Sequence, residues 1–142
     1  MIIEAFLLAH AMFLKNNILL IIWTLAILLL TILPGGYFPK VPSFMDLFSP
    51  DKLVHFFIFG LLNIFAIFSF GKQYSFQVLR SYKTLFAMIY SISLGGITEI
   101  LQGVMNWGRQ ASIYDFIENT IGCFIGLWIY YKLIKKKLKK NN

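Results

Sequence analysis

The feature that most constrains this chain is the recurrence of apolar runs of roughly 18 residues or more, since about 20 consecutive helical residues are needed to cross the hydrocarbon core of a bilayer. Four such runs are read in the 142 residues: about 18–33, 52–70, 84–105 and 113–134. Hydrophobic residues make up 58% of the chain and the mean hydropathy is +0.73, well above a soluble globular composition. The predicted fold is all-α: a polytopic integral membrane protein, a four-transmembrane-helix bundle forming a single membrane domain over residues 1–142.

Residues 2 to 14 are apolar but short. They are interrupted by Glu4 and His10 and followed by Lys15, Asn16 and Asn17. They read as an N-terminal interfacial helix or as an extension of the first span. That span ends at Pro34-Gly35-Gly36, a strong helix stop. No small-residue cleavage site follows it and further spans come later, so an uncleaved anchor is expected rather than a signal peptide.

Residues 34–50 carry four prolines and no helical period, as expected of a loop on the membrane surface. Ser49-Pro50-Asp51 then supplies a helix start, with a capping hydroxyl, proline at the first helical position and an acid in the first turn. A polar connection from Gly71 to Lys83 precedes the third span. After the loop Asn106 to Ala111, Ser112 and Asp115 have capping-box spacing with Asp in place of Glu.

Charge orients the bundle. Lys15, Lys72, Arg80, Lys83, Lys132 and the five tail lysines of 135–142 fall on one face, against Lys40, Lys52 and Arg109 on the other. By the positive-inside rule both termini are cytoplasmic. The net charge of +7 is thus explained by a basic tail against anionic lipid, without nucleic acid. Asp46, Asp51, Glu99, Asp115 and Glu118 all belong to the outer half. The single cysteine, Cys123, lies within an apolar run, which leaves no disulfide framework.

The polar residues of the spans fall into stripes. Asp51 and His55 are spaced i, i+4 on the second helix; Ser91, Gly95, Glu99 and Gln102 share a stripe on the third; Asp115, Asn119, Gly122 and Gly126 share one on the fourth. Charged groups near the bilayer centre cost about 2.5 to 3.5 kcal/mol even on the lower scales, so these faces are expected to converge. Gly95, Gly122 and Gly126 would act as packing residues that let backbones approach.

Several members have plain structural explanations. Asp51 and Asp115 sit in first turns, where the helix dipole favours an acid. Asn119 and Gln102 can serve as interhelical hydrogen-bonding glue. Lys52 can snorkel. Glu99 and His55 resist such readings. Glu99 lies about six residues inside its helix end, about 9 Å at ~1.5 Å per residue, where no cap or dipole explains it. His55 is the only outward histidine, able to take up and return a proton.

The candidate catalytic set is therefore His55 as general base and acid, Asp51 or Glu99 orienting it, and Asp115. Arg109, whose forked donors match carboxylate or phosphate, leads the substrate-binding set with Gln102 and Asn119. A salt bridge from Arg109 to Asp115 or Glu99 is the alternative. A divalent ion on Asp51, His55, Glu99 and Asp115 is conceivable, but there is no dedicated metal motif, and any cofactor stays unspecified.

At these residues the chain resembles the VanZ-like family of small polytopic bacterial membrane proteins, related to the teicoplanin-resistance protein VanZ. The matching pieces are Asp51-Lys52 to His55-Phe56, Gly95 to Glu99 with Gln102, and Gly108-Arg109 followed by Asp115, Asn119 and Gly122. They cover about residues 51–126. The resemblance implies a polytopic helical fold in the bacterial inner membrane, a role in the cell envelope and a link to glycopeptide resistance; it supplies no reaction. The expected partners are membrane lipid and an anionic lipid-linked or cell-wall precursor. The competing expectation is a non-enzymatic scaffold whose polar residues lock the bundle.

Overall fold

The computed structural model describes residues 2–32, 50–74, 76–105 and 111–136, with side chains for 11–31, 53–74, 76–105, 111–132 and 136. Nearly all of these residues are helical, with no strand among them. Helix α1 spans Ile2–Ile32, α2 Pro50–Gly71, α3 Gln77–Ser81, α4 Lys83–Met105 and α5 Ile113–Ile129, which continues through a π-helical segment at Tyr130–Lys135.

Three helices are long and apolar enough to cross a membrane: Ala11–Thr31 within α1, Leu53–Gly71 within α2, and Lys83–Met105. Their outward faces carry large apolar side chains, among them Leu29, Phe57, Ile100 and Val104. Apolar surface this extensive is untenable in water and suited to lipid. The chain is a membrane protein with transmembrane helices. Its fourth apolar run, α5, has 17 α-helical residues before the π-helical segment.

Residues 2–14 do not form a separate element. They continue directly into α1, the extension rather than the interfacial helix. Nothing in 2–32 breaks the helix: there is no glycine or proline, and Asn17 turns its amide back to the Phe13 carbonyl at 2.8 Å instead of unwinding the chain. The start of α2 at Pro50 agrees with the sequence signal, since a proline at the first helical position loses no intrahelical bond. The connection Gly71 to Lys83 contains an unexpected short helix, α3. The surface loop of 34–49, the end of the tail and Arg109 lie outside the described residues.

Helix α2 is the centre of the bundle and touches every other helix. Asn16 on α1 donates to the Lys72 carbonyl at 3.0 Å, and Trp23 reaches the Ile58 carbonyl at 2.9 Å, so α1 runs antiparallel to α2. Gly95 on α4 lies beside Phe59 and Asn119, while Lys83 at the start of α4 reaches Gly71, making α4 antiparallel to α2 as well. Helix α5 runs parallel to α2, with Gly122 against Phe56 and Gly126 against Gly60. Buried Phe59, Leu62, Ala66, Ile67, Ala87, Leu94 and Cys123 fill the interior among α2, α4 and α5. The N-terminal ends of α2 and α5 therefore meet the C-terminal end of α4 at one pole of the bundle.

Candidate functional site

Two parallel helices that start at the same pole bring two positive dipole ends together, and acidic side chains there are electrostatically favoured. Glu4, near the start of α1, apart, the acids of the described helices fall at this pole: Asp51 in the first turn of α2, Glu99 near the end of α4, and Asp115 and Glu118 in the first two turns of α5. Glu99 and Glu118 are buried and Asp115 is half-buried.

Ser112 caps α5. Its backbone is extended and its hydroxyl accepts from the Asp115 amide at 3.4 Å, as its spacing predicts. The Ser112 amide is in turn held by Glu99, which accepts from it through Oε2 at 3.1 Å. This supplies what the sequence reading could not find for Glu99: a helix end that needs its charge. The end belongs to the next helix in the chain, not to Glu99's own.

One turn deeper, His55 Nδ1 lies 2.8 Å from Asn119 Oδ1. A carboxamide oxygen only accepts, so in this arrangement Nδ1 carries the proton and Nε2 is left as the basic nitrogen. The group holding Nδ1 is thus Asn119, not Glu99, which is committed to Ser112; the Asp51 side chain lies outside the described residues. Asn119 is almost wholly buried, at 1% exposure, against half-buried His55. Its Nδ2 has no hydrogen-bond partner among the described residues. That amide lies beside Gly95, where an added Cβ would stand 3.3 Å from the Asn119 Cβ and 3.6 Å from Nδ2. Gly95 lets α4 lie close over this side chain.

The depth of His55 and Asn119 is set by the seam between α2 and α5. A Cβ on Gly122 would come within 2.7 Å of the Phe56 carbonyl oxygen, and one on Gly126 would strike the Gly60 carbonyl. Backbone touches backbone, as small residues permit in membrane helices. Gly122 and Gly126 were anticipated as packing residues; Gly60, which completes the seam from α2, was not. Its signal was its position, in the apolar run between His55 and Asn63.

The structure brings His55, Asn119, Gly95, Glu99 and Ser112 into adjoining layers, and it places Gln102, buried, one turn beyond Glu99 on α4. Ser112 was read only as a cap, yet it is the direct partner of Glu99. Among the described residues no group of three or more His, Cys, Asp or Glu side chains stands close enough to hold a metal ion. No family model, curated protein or solved structure matches the chain.

Proposed function

We propose that the chain is a VanZ-like protein of the bacterial inner membrane, with four spans, both termini cytoplasmic and the His55 pole facing outward, where it binds and modifies an anionic lipid-linked or cell-wall-related molecule. In this reading α5 and its π-helical continuation form the fourth span, and the excess of lysine and arginine at the opposite pole sets the orientation. The observation that carries the site is the 2.8 Å contact between His55 Nδ1 and Asn119 Oδ1. It fixes the imidazole on a rigid helix pair and leaves Nε2 to take a proton from an incoming hydroxyl or water and return it to a leaving group. In the same reading Asp51 and Asp115 assist His55, Gln102 contributes to binding, and Arg109 holds phosphate or carboxylate. The link to glycopeptide survival follows from the family resemblance.

The test is retention of a polyprenyl phosphate by the purified protein, together with the teicoplanin tolerance of cells expressing it. His55→Ala and Asn119→Ala are expected to abolish the cellular phenotype while the protein still inserts and keeps most of its thermal stability. Full phenotype in a normally inserted His55→Ala variant would remove this site from consideration.

The second reading is a non-enzymatic scaffold, and the Glu99 to Ser112 bond at 3.1 Å favours it, because that bond ties α4 to α5 whatever the protein binds. Under it, Glu99→Ala loses stability and phenotype together, and His55→Ala loses neither alone.

A further inference from the structure

The opposite pole of the bundle holds a groove that the His55 site does not use. It is an open groove of about 380 Å³, lined by Phe70 at the end of α2, Leu79 of α3, and Phe86, Tyr90, Ser93 and Ile97 of α4. That volume lies in the range of small-molecule sites, and the lining is almost wholly apolar. From Phe86 to Ile97 the groove follows about eleven residues of α4, roughly 16 Å at ~1.5 Å per residue. This is about the depth of one leaflet, half of a hydrocarbon core of ~30 Å.

Leu79 stands where the groove reaches the basic pole, and the segment that carries it has interfacial character: Tyr74, Phe76, Val78 and Tyr82 are all exposed. Aromatic side chains of this kind settle at the headgroup level. Arg80 follows Leu79 directly, with its guanidinium 4.8 Å from the centre of the Tyr74 ring. Lys72 is exposed on the preceding turn, and Lys83 opens α4 with Nζ 5.7 Å from the Tyr130 ring centre. The acids with described side chains, Glu99, Asp115 and Glu118, all lie at the other pole. The groove's polar end is therefore uniformly cationic among the described residues.

We infer that this groove is a binding site for an anionic phospholipid, with one acyl chain lying between α4, Phe70 and Leu79 and the headgroup phosphate held by Arg80 and its neighbouring lysines. An acyl chain matches the groove's depth and apolarity, and the phosphate matches its cationic mouth. Capturing this lipid fixes α3 against α4.

The experiment uses the whole protein in detergent, titrated with phosphatidylglycerol or with phosphatidylcholine of the same chains while the thermal midpoint is followed. Phosphatidylglycerol is expected to raise the midpoint saturably and phosphatidylcholine to do so weakly or not at all. Arg80→Gln should weaken the apparent affinity for phosphatidylglycerol about fivefold, the weight of one basic side chain near an anionic surface. Ser93→Trp, at an exposed position of the wall, should fill the groove and abolish the response with little change in the lipid-free midpoint. Ile97→Trp makes the same test from the deeper end if the first variant accumulates poorly. Equal stabilisation by both lipids, or an undiminished phosphatidylglycerol response in the groove-filled variants, would overturn the inference.

Discussion

Helix α2 meets α5 through glycines and meets α1 through large side chains. On the α5 side Gly60, Gly122 and Gly126 bring main chain against main chain over two turns. On the α1 side the contact runs through Trp23, which packs edge-on against Phe65 with ring centres 5.7 Å apart and donates to the Ile58 carbonyl, and α1 also reaches α4 through Thr24, bonded to Tyr90 at 2.7 Å. A backbone seam has no adjustable parts, whereas a side-chain seam can repack around a lost group. The candidate site lies on the first kind of seam. His55 and Asn119 sit on the rigid seam, where their relative position is fixed to within the play of two helices.

The comparison predicts its largest effect at Gly126. Gly126→Val drives two methyl groups onto the Gly60 carbonyl, forcing α2 and α5 apart, and should cost about 3 kcal/mol, read as a lowered thermal midpoint in detergent and a fall in membrane accumulation. Gly96→Ala is the contrast on the α4 to α5 contact. A Cβ there would rest 3.6 Å from the Phe116 ring, an ordinary contact, so the change should be neutral or gain up to about 1 kcal/mol from helix propensity. Equal losses in the two variants would break the idea of a specific backbone seam.

Glu99 separates charge from geometry at the same pole. Glu99→Ala removes the acceptor for the Ser112 amide and should cost about 1.5 to 3 kcal/mol, as for hydrogen bonds to charged groups. Glu99→Gln keeps a carbonyl oxygen in place and should lose about half of that. If Gln and Ala cost the same, the charge at the α5 end is what matters and the hydrogen bond is secondary.

Three of the four expected spans, those in α1, α2 and α4, were legible because crossing a bilayer imposes a length of apolar helix that the sequence reveals. The stripes carrying His55, Glu99 and Asn119 were legible too, since burying polar groups away from lipid leaves only inward faces for them. Pairing was not legible. That His55 would bond Asn119 depends on the parallel alignment of α2 and α5, which no local pattern encodes. Glu99 looked unexplained because its cap lies on the far side of a loop, thirteen positions along at Ser112. Gly60 was passed over because a glycine in an apolar run announces close approach only once its partner helix is known. The short helix α3 hid among Lys72, Arg80 and Lys83, whose charge marked a connection but not its conformation.

The α1 seam should give the smallest effects, and they sharpen the comparison most. Trp23→Phe keeps the ring against Phe65 but removes the donor to Ile58, for a cost of about 1 kcal/mol. Thr24 and Tyr90 form a bond that a double-mutant cycle isolates: Thr24→Val and Tyr90→Phe each delete one hydroxyl, and their coupling should be about 0.6 kcal/mol, the average for interhelical hydrogen bonds in membrane proteins. Both are small because α1 presents most of its surface to lipid and its side chains can resettle. Function at the His55 pole should be unchanged in the double variant, since neither hydroxyl touches α5. A coupling above about 2 kcal/mol, or loss of function in the double variant, would make α1 a structural part of the site's support and dissolve the division between the two seams.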